Sequence, residues 1–168
     1  AGIEARGFIF GAAVAIDDEV APIGHPGTAE SRGIIVEYTR DDARRTWTEQ
    51  DRIAPRVRTI GDRFGASLAF LENEMLVGAP GTDEGRGGVH RFVRNRSGDI
   101  WQAVEIFSVQ GGGAGFNLGS TVAIDRNVAV AGAPGADGGR GRAAVFTRPA
   151  NGRWEEGDWL ILPNELPM

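Results

Sequence analysis

The chain has 168 residues, 41% hydrophobic and 24% charged, which is near the average for a folded domain and excludes wholesale disorder. It holds no Cys and only two His, His25 and His90, which removes disulfides, thiolate metal sites and Cys nucleophiles and leaves little for His-based acid/base chemistry. The net charge of −5 argues against a nucleic-acid partner, and no apolar run reaches membrane-spanning length, so membrane insertion is not expected.

Strand signals begin at FGAAVAID (10–17), where Val14 and Ile16 alternate with small residues. A short polar turn at Asp17-Asp18 leads to a second strand, EVAPIG, which stops at Pro26 because Pro cannot continue a central ladder. A Gly-rich loop, GTAESRG (27–33), precedes a third strand, IIVEYT. A polar hairpin with Asp41-Asp42 leads to a fourth strand starting at Trp47. The same order follows from FGASLAFL (64–71): a turn at Glu72-Asn73, the strand EMLVGA up to Pro80, the loop GTDEGRG (81–87), the strand GVHRFV, a hairpin at Ser97-Gly98, and Trp101. It recurs from LGSTVAID (118–125): a turn at Asp125-Arg126-Asn127, NVAVAGA up to Pro134, the loop GADGGRG (135–141), AAVFT, the tight-turn pair Asn151-Gly152, and Trp154. No helical period is sustained anywhere.

Gly11, Gly65 and Gly119 are spaced by 54 and 54 residues, and so are Gly24, Gly78 and Gly132. Chance does not put several landmarks in one register, so the chain is a threefold repeat. The 26 Gly residues mark the same turns in each unit. The predicted fold is all-β, with units at 1–54, 55–108 and 109–168. Four short antiparallel strands in a unit of this length make one β-propeller blade. A solenoid is the main competitor, but its units are shorter or contain a helix. All 18 basic residues are Arg. The bland source of that bias is genome composition; its physical effect is a surface suited to fixed ion pairs.

The recurring pairs Phe10-Gly11 with Gly24-His25-Pro26, Phe64-Gly65 with Gly78-Ala79-Pro80, and Leu118-Gly119 with Gly132-Ala133-Pro134 resemble the FG-GAP repeat, the blade unit of integrin-type α-subunit propellers and of many bacterial surface proteins. The bacterial form, with a Gly-x-Trp segment before the last strand, is matched by Gly152-Arg153-Trp154. The resemblance implies a propeller, a binding or adhesion role, and an extracellular or cell-surface setting, although no signal peptide is visible in these residues. Integrin-type blades also carry an Asp-x-Asp-x-Asp-Gly calcium loop between strands one and two. Here those turns are only two or three residues long, too few for the six to eight oxygens of a Ca²⁺ site, so no cofactor or metal is expected.

Three blades do not close a ring, since propellers have about four to eight. Each open blade face, with about four apolar side chains, forfeits on the order of 6–12 kcal/mol when uncovered. Two completions are expected: a second copy of the chain, giving a homodimeric six-bladed ring, or further blades of a longer propeller. The chain starts at Ala1 and both its ends fall at blade boundaries, as in an assembly unit.

Candidate binding residues lie in the loops after the Gly-Ala-Pro motif: Glu30 and Arg32, Asp83, Glu84 and Arg86, and Asp137 and Arg140. Such a ring of acids and Arg groups suits a protein or glycan ligand. The bland alternative is an Asp–Arg or Glu–Arg pair holding each loop. The glycines of the motif are expected to serve close backbone approach. Trp47, Trp101 and Trp154 are either sugar-stacking platforms or packing for the outer hairpins, and His25 and His90 are expected to be structural. No Ser–His–Asp arrangement or phosphate loop is recognisable, so catalytic residues are expected to be none. The expected role is a non-catalytic binding or adhesion module. A lectin, a self-assembling half-propeller and, last, an enzyme are the alternatives.

Overall fold

The computed structural model describes residues 9–17, 19–94, 100–150 and 152–163. The turn residues Asp18, Ser97-Gly98 and Asn151 lie outside them. Among the described residues, eleven strands form three antiparallel sheets. The first contains β1 (Val20–His25), β2 (Ile34–Asp41) and β3 (Thr46–Ile53). The second contains β4 (Ser67–Leu71), β5 (Glu74–Ala79), β6 (Gly88–Arg94) and β7 (Trp101–Phe107). The third contains β8 (Thr121–Asp125), β9 (Val128–Ala133), β10 (Arg142–Thr147) and β11 (Glu155–Ile161). Each is a meander of neighbouring strands, and each has a bulge between its last two strands at the same repeat position. No helix among the described residues is long and apolar enough to cross a membrane.

The first sheet departs from the expected four strands. Its opening strand is reduced to isolated bridges, Val14 with Ile23 and Asp17 with Val20. The cause is Pro22. Ala15 N–H still donates to Pro22 O at 3.2 Å, but Pro22 has no N–H to return the bond. In the other sheets the equivalent residues are Leu76 and Val130, which pair with Ala69 and Ala123 in complete ladders.

The second sheet is buried on both faces. Met75, Val77, Phe92 and Trp101 share a core with Ile35, Ile53 and Phe64 of the preceding segment. Leu76, Val89 and Phe107 share another with Leu118, Ala129, Ala131, Ala144 and Phe146. Both β5 and β9 are largely apolar in sequence, but β5 is buried along almost its whole length, whereas burial alternates along β9, which has a neighbouring sheet on one face only. Gly78 makes the close stacking possible: a Cβ there would lie 1.9 Å from Gly119 O, and one at Gly24 would lie 2.1 Å from Gly65 O.

Candidate functional site

The loops after the Gly-Ala-Pro motif fold as four-residue turns at Thr28–Ser31, Thr82–Gly85 and Ala136–Gly139. Three residues in each have positive φ: Ala29, Glu30 and Ser31, then Asp83, Glu84 and Gly85, then Asp137, Gly138 and Gly139. That conformation costs non-Gly residues about 1–2 kcal/mol, and the backbone bonds made by the turns offset it. In the first turn, Glu30 O, Ser31 O and Arg32 O accept from Gly61, Arg63 and Phe64 N–H at 3.2, 2.7 and 3.2 Å. In the second, Glu84 O, Gly85 O and Arg86 O accept from Gly115, Asn117 and Leu118 N–H at 3.2, 2.7 and 3.1 Å. The first and second turns therefore each tie their own sheet to the segment that enters the next one.

With the backbone engaged, the side chains point outward. Glu30, Asp83, Glu84, Arg86, Asp137 and Arg140 are exposed. Arg32 pairs with Glu30 at 3.6 Å and Arg86 with Asp83 at 3.4 Å. In the third loop the acid is taken by Arg142 instead, through two N–H donors at 2.6 Å each. Those bonds hold the Asp137 carboxyl below the usual carboxylate range. The motif residues divide by position. Phe64 and Leu118 are fully buried, while Phe10 is 48% exposed. Gly24, Pro26, Gly65, Gly78, Pro80 and Gly119 are buried, Gly132 is half-buried, and Gly11 and Pro134 are exposed.

The Trp residues act between sheets. Trp101 Nε1 donates to Glu37 Oε2 of the first sheet at 2.6 Å, and Arg94 Nη1 lies 3.6 Å from the same oxygen. Arg94 also stacks over the Trp101 ring at 4.8 Å. The third sheet repeats the device one unit later. Arg148 lies over Trp154 at 4.7 Å, and both donate to Glu74 of the second sheet, at 3.0 and 3.2 Å. Glu74 also accepts from Arg91, which in turn donates to Glu105 at 2.8 Å. Sequence reasoning missed these acids because Glu37 and Glu74 do not occupy the same repeat position. The recurring Arg–Trp pair was the available signal.

His90 is buried edge-on against Phe64, 5.2 Å between ring centres. Burial pushes its imidazole below the ordinary value, against the opposing pull of Asp62. His25 stands edge-on to Phe10 at 5.7 Å. An open cleft of about 780 Å³ between β3 and β7 is lined by Asp51, Arg52, Ile53, His90, Trp101 and Ile106 among others. The turns where the calcium loop would sit are two residues long between Leu71 and Glu74 and between Asp125 and Val128, so the residues present do not fit a Ca²⁺ ion. Among the described residues no three His, Asp or Glu side chains gather as metal ligands.

The family model of the FG-GAP repeat matches residues 47–92. That stretch runs from Trp47 through Phe64-Gly65 and Gly78-Ala79-Pro80 to Phe92. No curated protein matches the chain.

Proposed function

Residues 47–92 are an FG-GAP repeat, and from that premise we propose that the chain is a non-catalytic binding or adhesion module. Its three sheets are blades of a β-propeller completed to six by a second copy. One end of the ring presents the loops after the Gly-Ala-Pro motif to a protein or glycan ligand, at the cell surface or outside the cell, without a cofactor. The observation that carries this reading is the division of labour in the loops. The backbones of the first two loops are consumed in joining one sheet to the next, yet Glu30, Asp83, Glu84 and Arg86 extend into solvent. A backbone already held rigid pays no further loop-ordering cost when a ligand binds.

The purely structural alternative, a half-propeller that only self-assembles, is favoured by the exposure of Phe10 and Trp47, at 48% and 41%. Binding to a glycan array and to a panel of purified surface proteins separates the two. The expected result is a ligand whose binding falls at least tenfold in D83A/E84A/R86A while the unfolding midpoint stays constant. No ligand on either panel, or turnover of a hydrolase substrate panel by the chain, would overturn the proposal.

A further inference from the structure

Key apolar positions at the contacts between neighbouring sheets have repeat-equivalents left open at the two ends of the stack. Phe10 is 48% exposed, where its equivalents Phe64 and Leu118 are 0%. Trp47 is 41% exposed, where Trp101 is 8%. On the opposite end, Leu160 pairs with Ala143 as Ile53 pairs with Ile35 and Phe107 with Val89. Ile53 and Phe107 are each 5% exposed because the next sheet covers them, and Leu160 is 55% exposed.

We propose that the face carrying Phe10, Arg40 and Trp47 docks on the face carrying Val128, Leu160 and Asp158 of a second copy of this chain. The proposal rests on the six-bladed reading above and names the residues that would make the ring. Three kinds of complementarity support it. The apolar kind is continuity with the two interfaces already present, in which the same repeat positions meet. The electrostatic kind is the Arg–Trp pair. Arg94–Trp101 and Arg148–Trp154 each grip an acid of the preceding sheet, and Arg40–Trp47 occupies the same positions, where among the described residues Arg40 makes an exposed ion pair to Asp42 at 3.1 Å. On the facing surface the positions of Glu37 and Glu74 are Val145 and Val128, but Asp158 stands exposed at the position of Asp51 and Glu105. It supplies the acid that the clamp needs. The third kind is backbone register. Arg63 and Phe64 N–H bond Ser31 and Arg32 O, and Asn117 and Leu118 N–H bond Gly85 and Arg86 O. One unit on, the same rule matches Ile9 and Phe10 N–H to Gly139 and Arg140 O of the other copy.

Because the two faces differ, the contact is head-to-tail, and a twofold axis makes it twice and closes the ring. The test is sedimentation of the intact chain at 1–100 μM with R40E, D158R and the double variant R40E/D158R. The expected result is a species of twice the 17.8 kDa chain mass, at least tenfold weaker dimerisation in each single variant, and recovery in the double variant. A dimer indifferent to both single changes, or one not rescued by the pair, would overturn the docking face while leaving a two-chain ring standing. A monomer at 100 μM would overturn both. W47A, which leaves the ion pair in place, should also dissociate the dimer; a W47A dimer as tight as the parent would count against the docking face.

Discussion

Glu37 offers the sharpest test of how the sheets are held together. Its side chain is 6% exposed and faces Arg94, 13% exposed, at 3.6 Å. At an effective dielectric of about 20 the Coulomb attraction at that separation is about 4–5 kcal/mol before desolvation. The carboxylate also accepts the Trp101 N–H at 2.6 Å, a charge-assisted bond of about 1.5–3 kcal/mol net. Removing one partner of a buried pair costs about 3–5 kcal/mol, because the other charge is stranded. Glu37→Ala should therefore lose about 3–5 kcal/mol, a fifth or more of an ordinary domain's stability of about 5–15 kcal/mol. Glu37→Gln keeps an acceptor for Trp101 but no charge for Arg94, and should lose about 2–3 kcal/mol. Trp101→Phe keeps the ring over Arg94 and loses only the N–H, at about 1–2 kcal/mol. Urea unfolding followed by tryptophan fluorescence and circular dichroism gives the ordering. If Glu37→Ala fails to fold, the two milder variants still test the order. Glu49→Ala is the control, since Glu49 and Arg52 pair on the exposed face of β3 and their removal should leave the midpoint unchanged. A Glu37→Ala midpoint within error of the parent, or a Trp101→Phe loss larger than that of Glu37→Ala, would refute the reasoning.

Two further outcomes are expected. Gly78→Ala puts a Cβ 1.9 Å from Gly119 O, a backbone atom that cannot swing away, so the second and third sheets must part; a loss of about 3 kcal/mol or more is expected in the same unfolding assay. Gly138→Ala, where a Cβ meets nothing within 4 Å but φ is +67°, should lose only about 1 kcal/mol. His90 makes stability fall with acid. Its folded pKa is lowered by burial, so below the unfolded value of about 6.5 the unfolded chain binds a proton that the folded chain refuses. Stability is complete above that pH and declines as pH drops toward the folded value. Thermal melts from pH 7.5 to 5 should show that decline in the parent and a shallower one in His90→Gln.

The strand order was legible because the period is visible in Gly and Pro, whose backbone demands repeat with the backbone. The two-residue turns, the ends of the second strands and the loops after the Gly-Ala-Pro motif all follow from those residues. The loss of the opening strand of the first sheet was legible too, in Pro22, but only with the register that pairs Pro22 with Ala15. The role of the Trp residues was not legible. Packing against an outer hairpin is a contact within one unit, whereas Trp101 crosses to Glu37, 64 positions away. That contact depends on the offset between stacked sheets, which no local pattern encodes. The acid that completes each clamp also comes from a different strand each time, so it escapes a search for repeats.

That escape separates what the three units share from what they do not. The shared part is backbone: left-handed turns in all three units, and carbonyl triplets and a close glycine approach at both junctions between sheets, which recur because the sheets stack in the same way. The unshared part is charge. Position 37 of the repeat is Glu37, then Arg91, then Val145, and the loops carry Glu30, then Asp83 with Glu84, then an Asp137 already held by Arg142. A ligand crossing the loop end would therefore meet two acids in the second unit, Asp83 with Arg86 beside it and Glu84 next to them, between one loop with a single acid and another whose acid is held by the Arg142 guanidinium. If the loops bind a ligand as proposed, the second loop should dominate, so D83A/E84A should weaken binding more than E30A or D137A, and equal losses in all three loops would point instead to a nonspecific electrostatic surface.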